Sequence, residues 1–463
     1  MKKIRMSMLL LVVATVILAA CGPAATPEPE VVEEPDVVEE PSVAEATPEE
    51  AAAAPEEKAE EEEPIKIVWW SHWAEETNKR EVLETVAADY MAEHPNVEIE
   101  LVWWQKAEMF AAIQNTMTAG EGFPDMFYYD RTAPQIQAAG WTADLTNGIN
   151  WDNVEPWAKE AWKVDDGVYA LTVEAATLEL YVNNGLFEEL GIEIPEDRQF
   201  DQDEFYEVAK ICKDAGYDVF ASASQWWGSG SLLYWYALLH ELGGEEFTKY
   251  FNGELPVDTP ETREALEWAE SVMALPAVPE VYSTHTLAEA HQYFHTQQKA
   301  CMMPVGSWYT GRAFVPEEAG GQPADFDLSC IRWPAIDGGV DNDSHILYAA
   351  GSLAAAELSP NKDVAIDIIN YFAQEKYGNL WMANTAVQTG IKTNLDTMPA
   401  TDYDWYFAEY NTCKAGAELF VLNVFSQPPD FKAVWNQVFN EGLPMRQIEL
   451  DQGLEMLEAA RPQ

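Results

Sequence analysis

Along this chain the apolar and polar positions switch repeatedly between a period of two and a period near 3.6. Ile65 to Trp70 is a short apolar run that reads as a strand. Glu75 to Glu93 follows, with Val82, Leu83, Val86, Ala87 and Tyr90 at helical spacing and a stop at His94-Pro95-Asn96. Val97 to Trp104 alternates as a strand, Ala107 to Thr118 is helical, and Asp125 to Tyr129 is again a strand. The alternation recurs at Gly167 to Val182 (strands), Glu204 to Ala215 (helix), Val219 to Ala221 and Lys299 to Val305 (strands). A further helix runs from Ser359-Pro360-Asn361 to about Gln374. This order predicts an α/β fold with helices on both faces of a sheet. Ligands of such sheets sit beyond the carboxyl ends of the strands. That rule selects Trp70, His72 and Trp73, then Tyr129, Asp130 and Arg131, then Glu174, then Gln225, Trp226 and Trp227, and finally Trp308.

The first residues read as an address. Lys2, Lys3 and Arg5 precede an apolar run from Met8 to Ala19, and Leu18-Ala19-Ala20-Cys21 resembles a bacterial lipobox. A signal peptide over 1–21 is expected, with a lipid on Cys21 and anchoring of the mature chain to a membrane. Residues 22–64 are built of Glu, Pro, Ala and Val and carry sixteen acidic residues against one lysine. Such a segment buries too little apolar surface to fold and predicts a disordered tether.

The remaining body is long enough for two lobes. It holds 64 of the 80 acidic residues and 22 of the 26 basic ones. That balance excludes nucleic acid as a partner, because phosphate binding needs a positive surface. It also favours a cationic over an anionic ligand, unless a local basic pocket overrides the field. Cys212, Cys301, Cys330 and Cys413 lie in no metal-type spacing; as exported residues they can form disulfides whose pairing the sequence leaves open. His291 and His295 stand four apart on a helical stretch, read as a solvated face rather than a metal pair, so neither a metal nor a cofactor is expected.

Four segments of the body resemble the family-1 extracellular solute-binding proteins, to which the maltose-binding proteins belong. The first is Gly122-Phe123-Pro124-Asp125 through Asp130, continued by Gln137 to Leu145. The second is Gly167-Val168-Tyr169-Ala170-Leu171, then Tyr181-Val182-Asn183-Asn184 through Ile192; the third is Ala300 to Trp308. The fourth is Ala350-Gly351-Ser352 with Ser359 to Ala365. Thr172 stands where the family usually has proline, and Asn184-Gly185 replaces a charged pair. The resemblance implies a two-lobe periplasmic-binding-protein-like fold with a hinge and a cleft between the lobes. Carried over, lobe one takes 65–173 and 335–373, and lobe two takes 178–333 and 378–463. It further implies a monomer that closes on a solute and hands it to the permease subunits of an ABC importer. Asp130, Arg131 and Glu174 fall on residues that contact sugar hydroxyls in maltose-binding relatives, Trp308 falls on a ring-stacking aromatic, and Gln225 to Trp227 falls near a further contact segment.

Those residue types suit a sugar, which needs flat apolar surfaces and a few fixed hydrogen-bonding groups. Trp103, Trp157, Trp162 and Trp268 sit at periodic positions inside elements and are read as core instead. Two other readings compete: the same importer role for a polyamine or peptide, and a secreted glycosidase using two of the many carboxylates. No GxSxG, HExxH or P-loop sequence is present.

Overall fold

The computed structural model describes residues 64–462 apart from Glu75, 225–229, Asp402 and Phe425. Cys21, the acidic segment, Gln225, Trp226 and Trp227 therefore lie outside the described residues. Eleven strands occur among the described residues: β1 (Ile65–Ser71), β2 (Val97–Trp103), β3 (Met126–Tyr129), β4 (Lys163–Val164), β5 (Gly167–Val168), β6 (Leu171–Asn183), β7 (Asp218–Phe220), β8 (Ala300–Gly306), β9 (Leu328–Ile331), β10 (Ser344–Ala355) and β11 (Glu418–Val421). Nine of them form one sheet of order β2-β1-β3-β10-β6-β8-β7, with β11 added to β10 and β9 added to β6. β1 is parallel to β2 and β3, as expected where helices α1 (Thr77–Glu93) and α2 (Lys106–Ala119) make the connections. β10 pairs antiparallel with β3, and β6 pairs antiparallel with β10.

Two long strands organise the body. The first half of β6 pairs with β10, and Leu178 to Asn183 pairs with β8 and β9. Leu171 and Val173 of β6 belong to one apolar core, and Leu178, Leu180 and Val182 to a second. β10 changes core in the same way, with Ile346 and Tyr348 in the second and Leu353 and Ala354 in the first. The first core also holds Ile67, Trp69, Val82, Leu83, Val86 and Phe127, whose spacing the apolar pattern predicts. The second is built around the helix Leu232–Leu242, whose apolar side chains are buried on every side.

The cores divide the chain differently from the sequence boundaries at two places. Ile336 and Ile346 pack in the second core, although 335–373 is assigned to the first lobe. Trp381 and Ile391 pack in the first, although 378–463 is assigned to the second. The turn signals at Trp333-Pro334 and Phe372 to Gly378 fall at breaks between regular elements. The change of core happens later, inside a regular strand and after the helix Glu375–Thr385, where no turn residue announces it.

Of the pairings open to four cysteines, the structure has Cys212–Cys301 and Cys330–Cys413, closing loops of 89 and 83 residues. The first ties the helix Gln202–Asp214 to β8, and the second ties β9 to the helix Asp404–Cys413. Each cross-link restricts the unfolded chain, and a disulfide typically stabilises by about 2–4 kcal/mol. Replacing Cys212 and Cys301 together by serine is expected to lower the unfolding free energy in urea by about 3 kcal/mol, with the other disulfide intact.

Candidate functional site

A cavity of ≈ 250 Å3 opens where the two long strands pair. Its floor comes from the centre of the sheet. Glu174 on β6 faces Gly351 on β10, and the register slips between Ala349 and Gly351, so Ala350 bulges into the cavity wall. Gly351 has to be a glycine: a Cβ there would lie 2.8 Å from Cε2 of Tyr128 and 3.0 Å from Cζ2 of Trp73. One wall is made by His72 and Trp73 after β1, Tyr128 and Asp130 at the end of β3, Glu76 and Lys79 at the start of α1, and Lys106 at the start of α2. Leu287, Trp308, Arg312 and Tyr348 make the facing wall and come from the half built on the second core.

The rings make most of the apolar lining. Trp73 packs edge-on against Tyr128 with centroids 5.1 Å apart, and Trp308 meets Tyr348 edge-on at 6.1 Å. Trp308 folds back over Gly306. A Cβ at Gly306 would lie 1.7 Å from Cζ3 of that ring, so this position also requires glycine. Gly306→Ala is expected to swing the indole out of the cavity, weakening ligand binding at least tenfold in a calorimetric titration. The backbone at Gly306 (φ −78) suits any residue, so the fold should lose no more than about 1–3 kcal/mol, the cost of a tight steric insertion.

The polar groups form a charged lattice around the rings. Lys79 Nζ lies 2.6 Å from Glu76 Oε2 and 2.7 Å from Glu174 Oε2, and its side chain is 2% exposed. Burial pushes the Lys79 ammonium down, but the two carboxylates outweigh it and hold the group charged. Burial pushes Glu76 up, and the Lys79 and Arg312 charges overcome it, holding the group at about 2. For Glu174 burial wins over Lys79 and its value is raised. Arg312 Nη2 reaches Glu76 Oε1 at 3.3 Å and so joins the two walls. Asp130 pairs with Lys106 and accepts from the hydroxyl of Tyr128 at 2.8 Å and the amide of Thr132 at 2.8 Å. Burial opposes its charge, but Lys106 prevails and its value is lowered. His72 is pushed down to about 3 by burial and by the charge of Lys106, and its buried Nδ1 has no hydrogen-bond partner among the described residues. It therefore lines the cavity as a neutral ring.

Of the residues selected from sequence, His72, Trp73, Asp130, Glu174 and Trp308 line this cavity. Trp70, Tyr129 and Arg131 do not. Trp70 packs on Trp104 with centroids 4.7 Å apart. Tyr129 is 1% exposed and packs on Trp162, because successive strand residues point to opposite faces and Tyr128 takes the cavity side. Arg131 bonds the carbonyl of Ala161 and lies over Trp162, 4.8 Å from its centroid. Thr172, at the family's proline position, is buried beneath them and accepts from Trp162 Nε1 at 3.0 Å. His291 and His295 are not a solvated face: they are 2% and 0% exposed and pack on Tyr309, with His295 Nδ1 2.8 Å from its hydroxyl. Sequence reasoning missed Lys79, Lys106 and Arg312, which reach the cavity from helix starts and turns. One signal was present for Lys79: it stands on the apolar stripe of α1, three and four residues before Val82 and Leu83, where a charge needs a buried partner.

The pattern describing bacterial extracellular solute-binding proteins matches residues 73–379, about two thirds of the chain. The chain belongs to that family. Similar to it is the maltotriose-binding protein of Pyrococcus abyssi (strain GE5 / Orsay), 26% identical over 322 residues. The match takes in 66% of this chain and spans 62% of that protein's length. Among solved structures, a protein from work on xylan utilisation by the thermophile Caldanaerobius polysaccharolyticus superposes with a TM-score of 0.72 at 20% identity, over 85% of this chain and 99% of the other. The GacH receptor of Streptomyces glaucescens, solved unliganded and with acarbose, has a TM-score of 0.64 at 17% identity, over 86% of this chain and 97% of the other. These likenesses establish for this member of the family a two-lobed, maltose-binding-protein-like α/β fold with a cleft between the lobes.

Proposed function

We propose that this protein captures a carbohydrate by closing its two lobes and delivers it to the permease of an ABC importer. The observation that carries the reading is the cavity at the crossing strands. It combines Trp73, Trp308, Tyr128 and Tyr348 with His72 and Glu174, and it takes residues from both cores. Flat rings with a few converging polar groups are what a pyranose needs. The names of the relatives, for maltotriose, xylan use and acarbose, support the same ligand class. Lobe one comprises β1 to β5 with the helices between them, the first half of β6, the end of β10, the helices Lys362–Phe372 and Glu375–Thr385, and Ile391; lobe two comprises the rest of the described body. β6 and β10 act as the hinge, and sugar bridging Glu174 and Trp308 stabilises the closed form. The chain works as a monomer outside the cytoplasm, held to the membrane by a lipid on Cys21.

A polyamine fits the cavity less well, because Glu76, Asp130 and Glu174 each already hold a cation. Thermal-shift screening of the full chain against neutral oligosaccharides, acidic sugars and polyamines tests the reading. A sugar at a hundredfold excess over its Kd stabilises by about 2.7 kcal/mol and raises the melting temperature by several degrees. Stabilisation by polyamines alone, or release of shorter sugars on incubation, would replace this function by one of its rivals.

A further inference from the structure

The hydrogen-bonding capacity of the cavity is unbalanced toward donors. Both oxygens of Asp130 are filled: Lys106 and the Tyr128 hydroxyl donate to Oδ2, and the amide and hydroxyl of Thr132 donate to Oδ1. A carboxylate offers about four acceptor sites, so Asp130 has little left for a ligand hydroxyl. Glu76 is spanned by Lys79 on one oxygen and Arg312 on the other. Glu174 accepts from Lys79 through Oε2, and among the described residues no hydrogen bond to its Oε1 is seen. On the donor side, the Arg312–Glu76 bond uses one of about five guanidinium N–H groups, and the Lys106–Asp130 pair one of about three ammonium N–H groups.

Exposure sharpens the asymmetry. The side chains of Lys106 and Arg312 are 41% and 37% exposed, whereas those of Glu76, Asp130 and Glu174 are 9%, 4% and 8%. A ligand coming in from solvent meets two cations, one on each wall, with the carboxylates behind them. A neutral sugar offers these N–H groups only uncharged oxygens, and its own hydroxyls need acceptors that Asp130 and Glu76 have already given to protein donors. A sugar bearing a carboxylate offers them a charged acceptor, and its charge-assisted hydrogen bonds are about twice as strong as neutral ones. The chain's net charge of −54 does not forbid an anion here. At physiological salt, exposed charges farther away than about 8 Å are largely screened, and Lys106 and Arg312 line the cavity itself.

We propose that the preferred ligand is an acidic sugar, a uronic acid or a short oligosaccharide containing one, whose carboxylate is held between Lys106 and Arg312 while a ring stacks on Trp308. This inference rests on the carbohydrate reading and narrows it. The test is calorimetric titration of the full chain with uronic-acid disaccharides, their methyl esters, and the parent neutral disaccharides of glucose, galactose and mannose. The expected result is binding of one acid at least tenfold tighter than its ester. That preference shrinks in 0.5 M salt and disappears in the double variant Lys106→Gln/Arg312→Gln. Esters or neutral sugars binding as tightly as the acids would overturn the acidic preference and leave the carbohydrate reading standing. Binding by none of the panel would count against both.

Discussion

Replacing Lys79 by methionine lowers the stability of this protein by about 3–5 kcal/mol, the usual cost of leaving a buried charge without its partner. Methionine matches the lysine stem in length and apolar surface, so the loss measures charge rather than packing. Two carboxylates, Glu76 and Glu174, lose their shared cation at once. Arg312 still reaches Glu76, so the uncompensated group is Glu174, whose value burial has already raised. Without Lys79 it rises further, and the variant regains stability as the pH falls and Glu174 takes up a proton. Urea unfolding at pH 7.5 and 5.5 checks this: the deficit should be larger at the higher pH. The triple variant Glu76→Gln/Lys79→Met/Glu174→Gln should recover most of the loss, since replacing a whole buried ion cluster by neutral groups is often close to neutral. A deficit unchanged by pH and by the two glutamines would mean that the lysine stem, not its charge, matters.

Acid destabilises the native protein steeply, and histidines set where. Four of the seven, His240, His291, His295 and His345, are no more than 2% exposed. Burial lowers all four; it takes His295 to about 4, and with the charge of Lys414 it takes His345 to about 4. The unfolded chain binds these protons near the ordinary value of about 6.5, so below that pH the unfolded state holds more protons than the folded one. Stability is then full above pH 6.5 and is lost as the pH falls toward 4. Each such group contributes a limiting slope of about 1.4 kcal/mol per pH unit, and His295 and His345 alone give about 3. Below pH 4.5 two carboxylates add to the fall. Burial opposes the charge of Glu179, but Lys414 and His345 outweigh it and hold the group at about 2; Glu76 is held there by Lys79 and Arg312. The urea midpoint measured from pH 7.5 to 4.5 should fall sharply below 6.5, and His295→Gln should flatten the curve. A midpoint that stays level to pH 5 would contradict this account.

Much of the parallel half of the sheet was legible, because its strands are short and alternate and its helices carry an apolar stripe ended by clear stop signals, as in Val82 to Tyr90 before His94-Pro95. The long strand β10 was not. Its sequence Ser344 to Ala355 does not alternate, because it is buried almost throughout and serves both cores. The cavity lining was legible where it follows strand ends, at His72, Trp73, Asp130, Glu174 and Trp308. It was misread where strand parity decides, at Tyr129 in place of Tyr128. It was invisible where a cation arrives from a helix start or a turn, as Lys106 and Arg312 do. Asp130 shows a further limit. Its position at the cavity was foreseeable, but its four protein donors were not, and they turn a presumed acceptor for ligand into the anchor of Lys106.

Calorimetric titration of the full wild-type chain and of Trp308→Ala, with whichever sugar stabilises the protein in the screen, tests the central claim most directly. A stacked, well-packed indole contributes about 2 kcal/mol or more, which corresponds to a Kd about thirtyfold weaker in the variant. The account predicts saturable binding at one site in the wild type and at least that weakening in Trp308→Ala. A sugar that binds both proteins equally well would contradict it.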